Sequence, residues 1–438
     1  MPPEPVDLLI EARWVLPMAP VNTVLEDHAV TVTSGRIVAL GPIAEMNARF
    51  EPRERVVRRD HALLPGFVNA HTRAAMTLLR GLPVRGTRSQ WLRHTVGVAE
   101  QRCMSPDFVR EGTQLAIAEM LRAGITSFAD MYLFPEEAAR AASAARMRAA
   151  IGLPVRDTPN VWAESATAYF EKAEQLWDEY RADPWVCLYF APQDAAEISD
   201  QTLVRVRRVA DELDARVAME SPPLQRLHDL GLLRPGFTAI DIRSLTDEAQ
   251  SNSLRPEDAA LIASTGMYVV ACFQSDLRLG GDSSPISHLN SQHVTIGLGT
   301  GEPASVGAVD LLAEARTAAL VGQGLTAKGL TAEGLTAGDL LRIATLGGAT
   351  ALGLGSTTGS IEPGKYADLV CLDLNRLACR PTLRVADSIL FGATREQVTD
   401  VWTAGRAAVS GGHLLTFDEQ ELAAVAEKWA GLNTGSER

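Results

Sequence analysis

The feature that most constrains the fold is a series of eight short apolar runs between residues 64 and 298, which alternate with segments of helical period. The intervening segments, such as Pro106–Ala123 and Asp200–Leu213, are rich in Ala, Leu, Arg and Glu. Eight such repeats are typical of a (β/α)8 barrel rather than of an open doubly wound sheet. We therefore predict an α/β fold, a (β/α)8 TIM-like barrel, with strands at Leu64–Ala70, Ile125–Asp130, Ala149–Leu153, Val186–Phe190, Val217–Glu220, Thr238–Ile242, Tyr268–Cys272 and Val294–Leu298.

Short β-like segments also occur at both ends of the chain. Residues 6–42 contain four of them, with a turn signal at Ser34-Gly35-Arg36, and two more follow residue 360, at Ala367–Asp373 and Val398–Trp402. A sheet that begins at one end of the chain and resumes at the other indicates one small domain built from both termini. We predict a composite β-sandwich from residues 1–59 plus 359–438, with the barrel at residues 60–358.

Charge and cysteine content exclude several classes of function. The chain has 41 Lys and Arg against 54 Asp and Glu, a net charge of −13, and no basic run, which argues against nucleic-acid or anionic-membrane partners because phosphate binding uses clustered positive charge. The five cysteines include no Cys-x-x-Cys pair, so no disulfide framework or structural zinc module is predicted. No P-loop, Rossmann or nucleophile-elbow motif occurs. Without a leader-like start or a run of about 18 apolar residues, we expect a cytoplasmic protein.

Four motifs, in order along the chain, resemble those of the amidohydrolase superfamily. They are LPGFVNAHTRAAMTLLRG at Leu64–Gly81, GITSFADMY at Gly124–Tyr132, IGLGT at Ile296–Thr300 and GSIEPGKYADLV at Gly359–Val370. The chain is similar to the branch that contains chlorohydrolases and S-adenosylhomocysteine/5′-methylthioadenosine deaminases. This resemblance implies the same barrel, a homodimer, and hydrolysis of a C–N bond by water that a divalent metal at the barrel mouth makes more acidic.

The resemblance also implies where the metal ligands lie: His-x-His on strand 1, His on strand 5 and Asp on strand 8, with a His on strand 6 and a Glu after strand 5 that transfer protons. The first histidine is His71, but the second position holds Arg73, whose guanidinium has no lone pair for a metal. In a gapless alignment Glu220 replaces the strand 5 histidine and Pro223 the proton-transfer glutamate. The alternative, Glu220 as that glutamate, needs a three-residue deletion inside a buried strand; both alignments remain open.

The other positions differ as well. Asp241 stands where the family has its strand 6 histidine, Gly301 where it has the strand 8 aspartate, and Gln193 where a histidine is expected to contact substrate. Of the four metal-ligand positions, only the first holds the expected residue, His71. Glu220 is a conceivable substitute ligand at the strand 5 position. Two protein ligands beside a fixed cation do not make a tetrahedral site. We therefore expect no metal and no zinc cofactor.

We predict an electrostatic replacement instead, in which Arg73 reaches into the vacated metal position and pairs with Glu220, Asp241 or both. Trp91 follows strand 1 where the family has substrate-contacting loop residues, and a purely anchoring role in the loop fits its position equally well. The predicted ligand pocket consists of His71, Arg73, Trp91, Gln193, Glu220, Asp241 and Gly301.

Three functions remain open from the sequence. The first is a metal-free homologue, inactive as a metal-dependent deaminase, whose pocket binds a small nucleoside-like molecule or a protein partner, either as a repurposed pocket or as a drifted scaffold. The second is a metal-independent enzyme in which His71, Glu220 and Asp241 are the candidate catalytic residues. The third is the inherited C–N hydrolase or deaminase activity, with a metal held in an unforeseen way.

Overall fold

The computed structural model describes residues 2–193, 195–242, 255–280, 285–327 and 334–434. Four strands come first in the chain: β1 (Glu4–Val15), β2 (Leu25–Thr33), β3 (Arg36–Pro42) and β4 (Phe50–Pro65). Ser34 and Gly35, between β2 and β3, have φ values of 51° and 76°. Positive φ at both central residues is the geometry that two-residue hairpins favour, so the predicted turn is confirmed.

The eight predicted barrel strands are all present and form one parallel sheet in chain order. The first begins later than predicted, because Leu64 and Pro65 belong to β4. Gly66 lies between the two strands, and a side chain does not fit there, because a Cβ would lie 2.1 Å from Thr126 Oγ1. The barrel strands are β5 (Phe67–Thr72), β6 (Ile125–Asp130), β7 (Arg148–Val155), β8 (Val186–Pro192), β9 (Arg216–Glu220), β10 (Phe237–Ile240), β11 (Tyr268–Ala271) and β12 (Ile296–Leu298).

The ends of the first and last strands meet and close the barrel. A parallel bridge joins Thr72 to Gly301, and the backbone N–H groups of Thr300 and Gly301 donate to the His71 carbonyl at 2.9 and 3.1 Å. The Thr72 hydroxyl donates to the Gly301 carbonyl at 3.1 Å. The predicted (β/α)8 barrel is confirmed, and these contacts bring residue 71 beside residue 301.

The remaining strands complete a second, mixed sheet with strands from both termini, as predicted. They are β13 (Leu369–Asp373), β14 (Val398–Thr403), β15 (Arg406–Ser410) and β16 (His413–Leu414), and the sheet order is β16-β15-β14-β13-β4-β1-β2-β3. Strand β4 crosses the predicted boundary at residue 59. The chain forms two compact units, one of Met1–Asn69, Ala118–Ser127 and Asp310–Asp418, the other of Ala70–Ile117, Phe128–Val309 and Glu419–Arg438. The predicted domain boundaries remain a proposal.

The helices begin at recognisable signals. Ser199, for example, caps its helix by accepting from the Thr202 N–H. None of the helices in the described ranges is long and apolar enough to cross a membrane. The α-helices are α1 (Ile43–Arg49), α2 (Arg88–Trp91), α3 (Gly97–Cys103), α4 (Pro106–Arg122), α5 (Pro135–Ala145), α6 (Ala166–Tyr180), α7 (Asp200–Glu212), α8 (Leu224–Asp229), α9 (Pro256–Thr265), α10 (Phe273–Arg278), α11 (Ile286–Ser291), α12 (Pro303–Val306), α13 (Leu311–Ala327), α14 (Ala337–Arg342), α15 (Gly348–Ala351), α16 (Val385–Asp387) and α17 (Glu419–Thr434).

The described ranges also contain helical segments of other types. Three are 3-10 turns, at Ala74–Leu79, Leu377–Cys379 and Arg395–Gln397, and three are π-helical, at Leu92–Val96, Ile343–Gly347 and Ser388–Gly392.

Candidate functional site

The candidate site lies at the carboxyl ends of the barrel strands, where barrels of this kind carry their functional groups. His71 is the fifth residue of β5, Glu220 ends β9, and Asp241 follows β10 directly. Arg73 follows β5 and its N–H donates to the Gly301 carbonyl at 3.1 Å. These five residues therefore stand around one mouth of the barrel.

Arg73 and Glu220 form a close ion pair. The Arg73 Nη2 donates to Glu220 Oε2 at 2.6 Å, and the side chains are 18% and 19% exposed. His71 Nε2 lies 2.9 Å from the other carboxylate oxygen, although the two atoms do not meet hydrogen-bond geometry. The predicted pairing of Arg73 is thus present for Glu220.

Asp241 has a different cation from the one predicted, because Arg88 and not Arg73 donates to it. Arg88 Nη1 donates to Asp241 Oδ2 at 3.0 Å, and Arg88 Nη2 donates to Glu302 Oε1. Glu302 is fully buried, and its second oxygen accepts from the Ser275 hydroxyl at 2.7 Å. Arg88 Nη2 is also 3.7 Å from Glu220 Oε1, so these three ion pairs belong to one cluster of two guanidinium groups and three carboxylates.

Sequence reasoning missed Arg88, Glu302 and Ser275. Glu302 carried a signal, because it directly follows Gly301 and places a carboxylate one residue after the position of the strand 8 aspartate. Arg88 carried none, because it lies in a segment without periodicity between the first strand and the first long helix.

The charges in this cluster stabilise one another. Burial alone would raise the pKa of Glu220, but Arg73 and Arg88 hold the pKa of this carboxyl well below its ordinary value. Burial likewise opposes ionisation of Glu302, and Arg88 followed by Arg73 lowers its pKa. Burial would lower the pKa of Arg73, but the nearby glutamates outweigh it and the pKa is raised. Glu220 and Glu302 are therefore ionised together with the guanidinium groups.

A short helix directs Arg88 into the mouth. Helix α2 starts with a capping box, in which the side chains of Thr87 and Gln90 each accept from the backbone N–H of the other. Trp91 at its end is 0% exposed and packs in a hydrophobic cluster with Met76 and Leu79. Trp91 is therefore an anchor of the segment, and the prediction that it lines the pocket is wrong, since the aromatic ring faces the core beside the mouth.

A cavity of about 630 Å³ opens above the cluster. Three members of the predicted pocket line this cavity, namely Arg73, Gln193 and Glu220. Arg88, which was not predicted, lines the cavity as well. His71 and Asp241 are 0% and 1% exposed and, like Gly301, are not among its lining residues. The arginine side chains therefore lie between the cavity and the deeper polar groups.

Two further acidic groups adjoin the site. Glu100 lines the cavity, accepts from the Tyr132 hydroxyl, and has a pKa raised by burial. Asp130 ends β6, accepts from the Ala74 N–H at 2.7 Å, and burial raises its pKa to about 6. Across the described residues, no group of three or more His, Cys, Asp or Glu side chains is arranged to hold a metal ion.

The sequence profile of the Amidohydrolase family matches residues 62–408. Most of the chain is covered, and the chain belongs to the amidohydrolase family.

Two curated relatives are 5-methylthioadenosine/S-adenosylhomocysteine deaminases. The one from Teredinibacter turnerae is 35% identical over 440 aligned residues, with 97% of each chain covered. The one from Saccharophagus degradans is 32% identical and covers 97% of this chain and 96% of its own length.

Solved structures agree with this assignment. An adenosine deaminase from Xanthomonas campestris with bound zinc superposes with a TM-score of 0.94 at 39% identity, covering 99% of this chain and 100% of the other. Atrazine chlorohydrolase from Arthrobacter aurescens, complexed with zinc, has a TM-score of 0.84 at 22% identity, covering 96% and 99%, and at that identity it supports the fold alone. Within the family, the chain is thus most informatively compared with the adenosine-type deaminases.

Proposed function

We propose that this chain is a metal-independent amidohydrolase homologue whose barrel mouth binds a small nucleoside-like ligand and does not carry out metal-dependent deamination. The observation that carries the proposal is the 2.6 Å pair between Arg73 and Glu220. A guanidinium stands where the family has a metal-binding imidazole, and the nearest carboxylate is committed to it.

The residues present do not fit a zinc ion. Zinc in such sites needs three or four donors with free lone pairs, and His71 is the one imidazole in the cluster. Arg73 and Arg88 are fixed cations that would repel a dication at short range. Glu220, Asp241 and Glu302 already accept from these arginines, so a metal would have to displace charge-assisted hydrogen bonds as well.

The cavity supports a nucleoside-like ligand. Its volume of about 630 Å³ lies within the usual range for small-molecule pockets. Gln193, Ser221 and Glu100 on its wall offer amide, hydroxyl and carboxylate groups, which suit the hydroxyls of a sugar. The relatives named 5-methylthioadenosine/S-adenosylhomocysteine deaminases support adenosine-type compounds as the first ligands to test.

Metal-independent catalysis receives less support from the same geometry. His71 and Asp241, two of the three candidate catalytic residues, do not line the cavity. The third, Glu220, is paired with Arg73 and has a lowered pKa, which makes it a poor proton acceptor near neutral pH. A protein partner, rather than a small molecule, has no specific feature in its favour.

Binding and turnover measured on the same preparation test the proposal. We expect titration calorimetry to detect a purine nucleoside at micromolar to millimolar concentration. We also expect no change in the ultraviolet spectrum of adenosine, 5′-methylthioadenosine or S-adenosylhomocysteine, with added zinc or with chelator. Turnover that requires zinc would contradict the proposal, and so would failure of every nucleoside to bind.

A restored metal site provides the matched control. We expect no zinc binding after exchange of the family positions alone, because Arg88 keeps its cation in the mouth. Binding should need a further Arg88→Met exchange. The Gly301→Asp change is itself strained, because φ is +63° there and the new Cβ would lie 3.0 Å from Ser275 Cβ. The exchanges at the family positions are Arg73→His, Glu220→His, Pro223→Glu, Asp241→His and Gly301→Asp, and Arg88→Met is added to them in the second variant.

The predicted homodimer and cytoplasmic location remain proposals. Size-exclusion chromatography with light scattering tests the first, with a mass twice that of the 47.0 kDa chain expected.

A further inference from the structure

The floor of the cavity is made by the side chains of Arg73 and Arg88, which we call the guanidinium floor. Both residues line the cavity, with 18% and 10% of their side chains exposed. A guanidinium has five N–H donors in a planar fork and no acceptor. The deepest part of the cavity therefore offers a ligand mainly hydrogen-bond donors.

The three carboxylates of the cluster each accept from one of these arginines, while Glu100 offers a further carboxylate on the cavity wall. Glu220 Oε2 accepts from Arg73 Nη2 at 2.6 Å, and Glu220 Oε1 is buried beside His71 at 2.9 Å. The Arg88 Nη1 and Nη2 donate to Asp241 and Glu302. In the described part of the chain, the Arg73 guanidinium makes one hydrogen bond, from Nη2 to Glu220, and its Nε is buried without a partner. The donors left for a ligand are therefore the N–H groups of Nη1 and the second N–H of Nη2, which together form the outer edge of the fork.

From this arrangement we infer that the pocket prefers a 6-oxopurine nucleoside to a 6-aminopurine nucleoside. The inference rests on the proposed function, because it specifies the ligand class of the same site. The O6 and N7 atoms of a 6-oxopurine are two adjacent acceptors, and an arginine fork binds them in a bidentate manner.

A 6-aminopurine fits the same floor poorly. Its N7 is an acceptor, but the neighbouring amino group points one of its two N–H donors along the same edge, toward the guanidinium groups. A donor that faces donors in a desolvated pocket loses its hydrogen bonds to water without replacement. Relatives named adenosine deaminase take the amino form, so the exchange of a metal for guanidinium groups inverts the preference.

Titration calorimetry of the full chain with adenosine and inosine tests the inference, since the two nucleosides differ only in the group on C6 and in the proton on N1. One bidentate arginine contact discriminates between bases by roughly 5- to 150-fold, and we expect inosine to bind at least about tenfold more tightly. Equal affinity, or tighter binding of adenosine, would overturn the inference and leave the proposed function standing. Binding of neither nucleoside would contradict both.

Two lysine variants locate the preference. Arg73→Lys keeps a cation for Glu220 but loses the planar fork, so the inosine-to-adenosine ratio should fall to about twofold or less. Arg208→Lys, a matched exchange at a side chain that is 68% exposed and does not line the cavity, should leave the ratio unchanged. Thermal unfolding curves confirm that both variants are folded, and an unchanged ratio in Arg73→Lys would contradict the assignment of the preference to the guanidinium floor.

Discussion

Replacement of Arg88 by methionine is the perturbation whose consequence follows most directly from the structure. Methionine keeps an unbranched apolar stem of similar length, but it removes the cation from Asp241 and Glu302, which are 1% and 0% exposed. Breaking a buried ion pair by removing one partner destabilises a fold by about 3–5 kcal/mol. In large domains each kcal/mol of lost stability lowers the melting temperature by about 2–4 °C, so we expect a fall of roughly 6–20 °C.

The pH dependence of this effect has a definite sign. The pKa of Glu302 and that of Glu220 are lowered in the folded state, with Arg88 among the causes. A carboxyl with a lowered pKa stabilises the fold above its unfolded value, about 4.3, and this stability is lost as the pH falls through the folded value. The difference between wild type and Arg88→Met should therefore be largest near neutral pH and shrink below about pH 4.

Thermal unfolding followed by circular dichroism at pH 7 and pH 4 measures both quantities. Arg93→Met is the control, because Arg93 is exposed on the cavity wall and surface exchanges usually change stability by about 0.5 kcal/mol or less. A melting temperature of Arg88→Met within about 2 °C of this control, or a difference that does not shrink at pH 4, would refute the reasoning.

Three other exchanges give distinct results. Asp130→Asn should raise the melting temperature at pH 8 but not at pH 5. The pKa of Asp130 is raised from 3.8 to about 6, so its ionised form lowers the free energy of unfolding by about 3 kcal/mol at high pH. An effect of the exchange that is the same at both pH values would contradict this. Ser275→Ala removes one hydrogen bond to Glu302 and should destabilise by about 1–2 kcal/mol in urea unfolding, whereas a neutral result would show that this bond is dispensable. Trp91→Ala should destabilise by about 3–5 kcal/mol while nucleoside affinity of the folded fraction is kept, and a selective loss of affinity would restore the ligand-contact interpretation.

The barrel was predictable because its strands are covered on both faces. All six residues of β6 are buried, so strands of this kind read as continuous apolar runs between helical segments. The start of the first barrel strand was less clear. Leu63 and Leu64 are equally buried in the terminal sheet, and an apolar run does not reveal which of two sheets receives it. The break falls at Gly66, where the close approach to Thr126 leaves no room for a side chain.

The candidate site was predictable where it lies at strand ends. His71, Arg73 and Glu220 meet because the carboxyl ends of parallel barrel strands surround one mouth. Arg88 was not predictable, because a loop residue reaches the mouth only through the capping box and the packing of Trp91. The position of Trp91 in the sequence suits a ligand contact and an anchor equally, and only its complete burial distinguishes them.

A crystal grown with zinc in excess, and measured at the zinc absorption edge, tests directly whether guanidinium groups have replaced the metal. We expect density for Arg73 and Arg88 in contact with Glu220, Asp241 and Glu302, with no anomalous peak beside His71. A peak of full occupancy there, with the two arginine side chains displaced from the mouth, would contradict it.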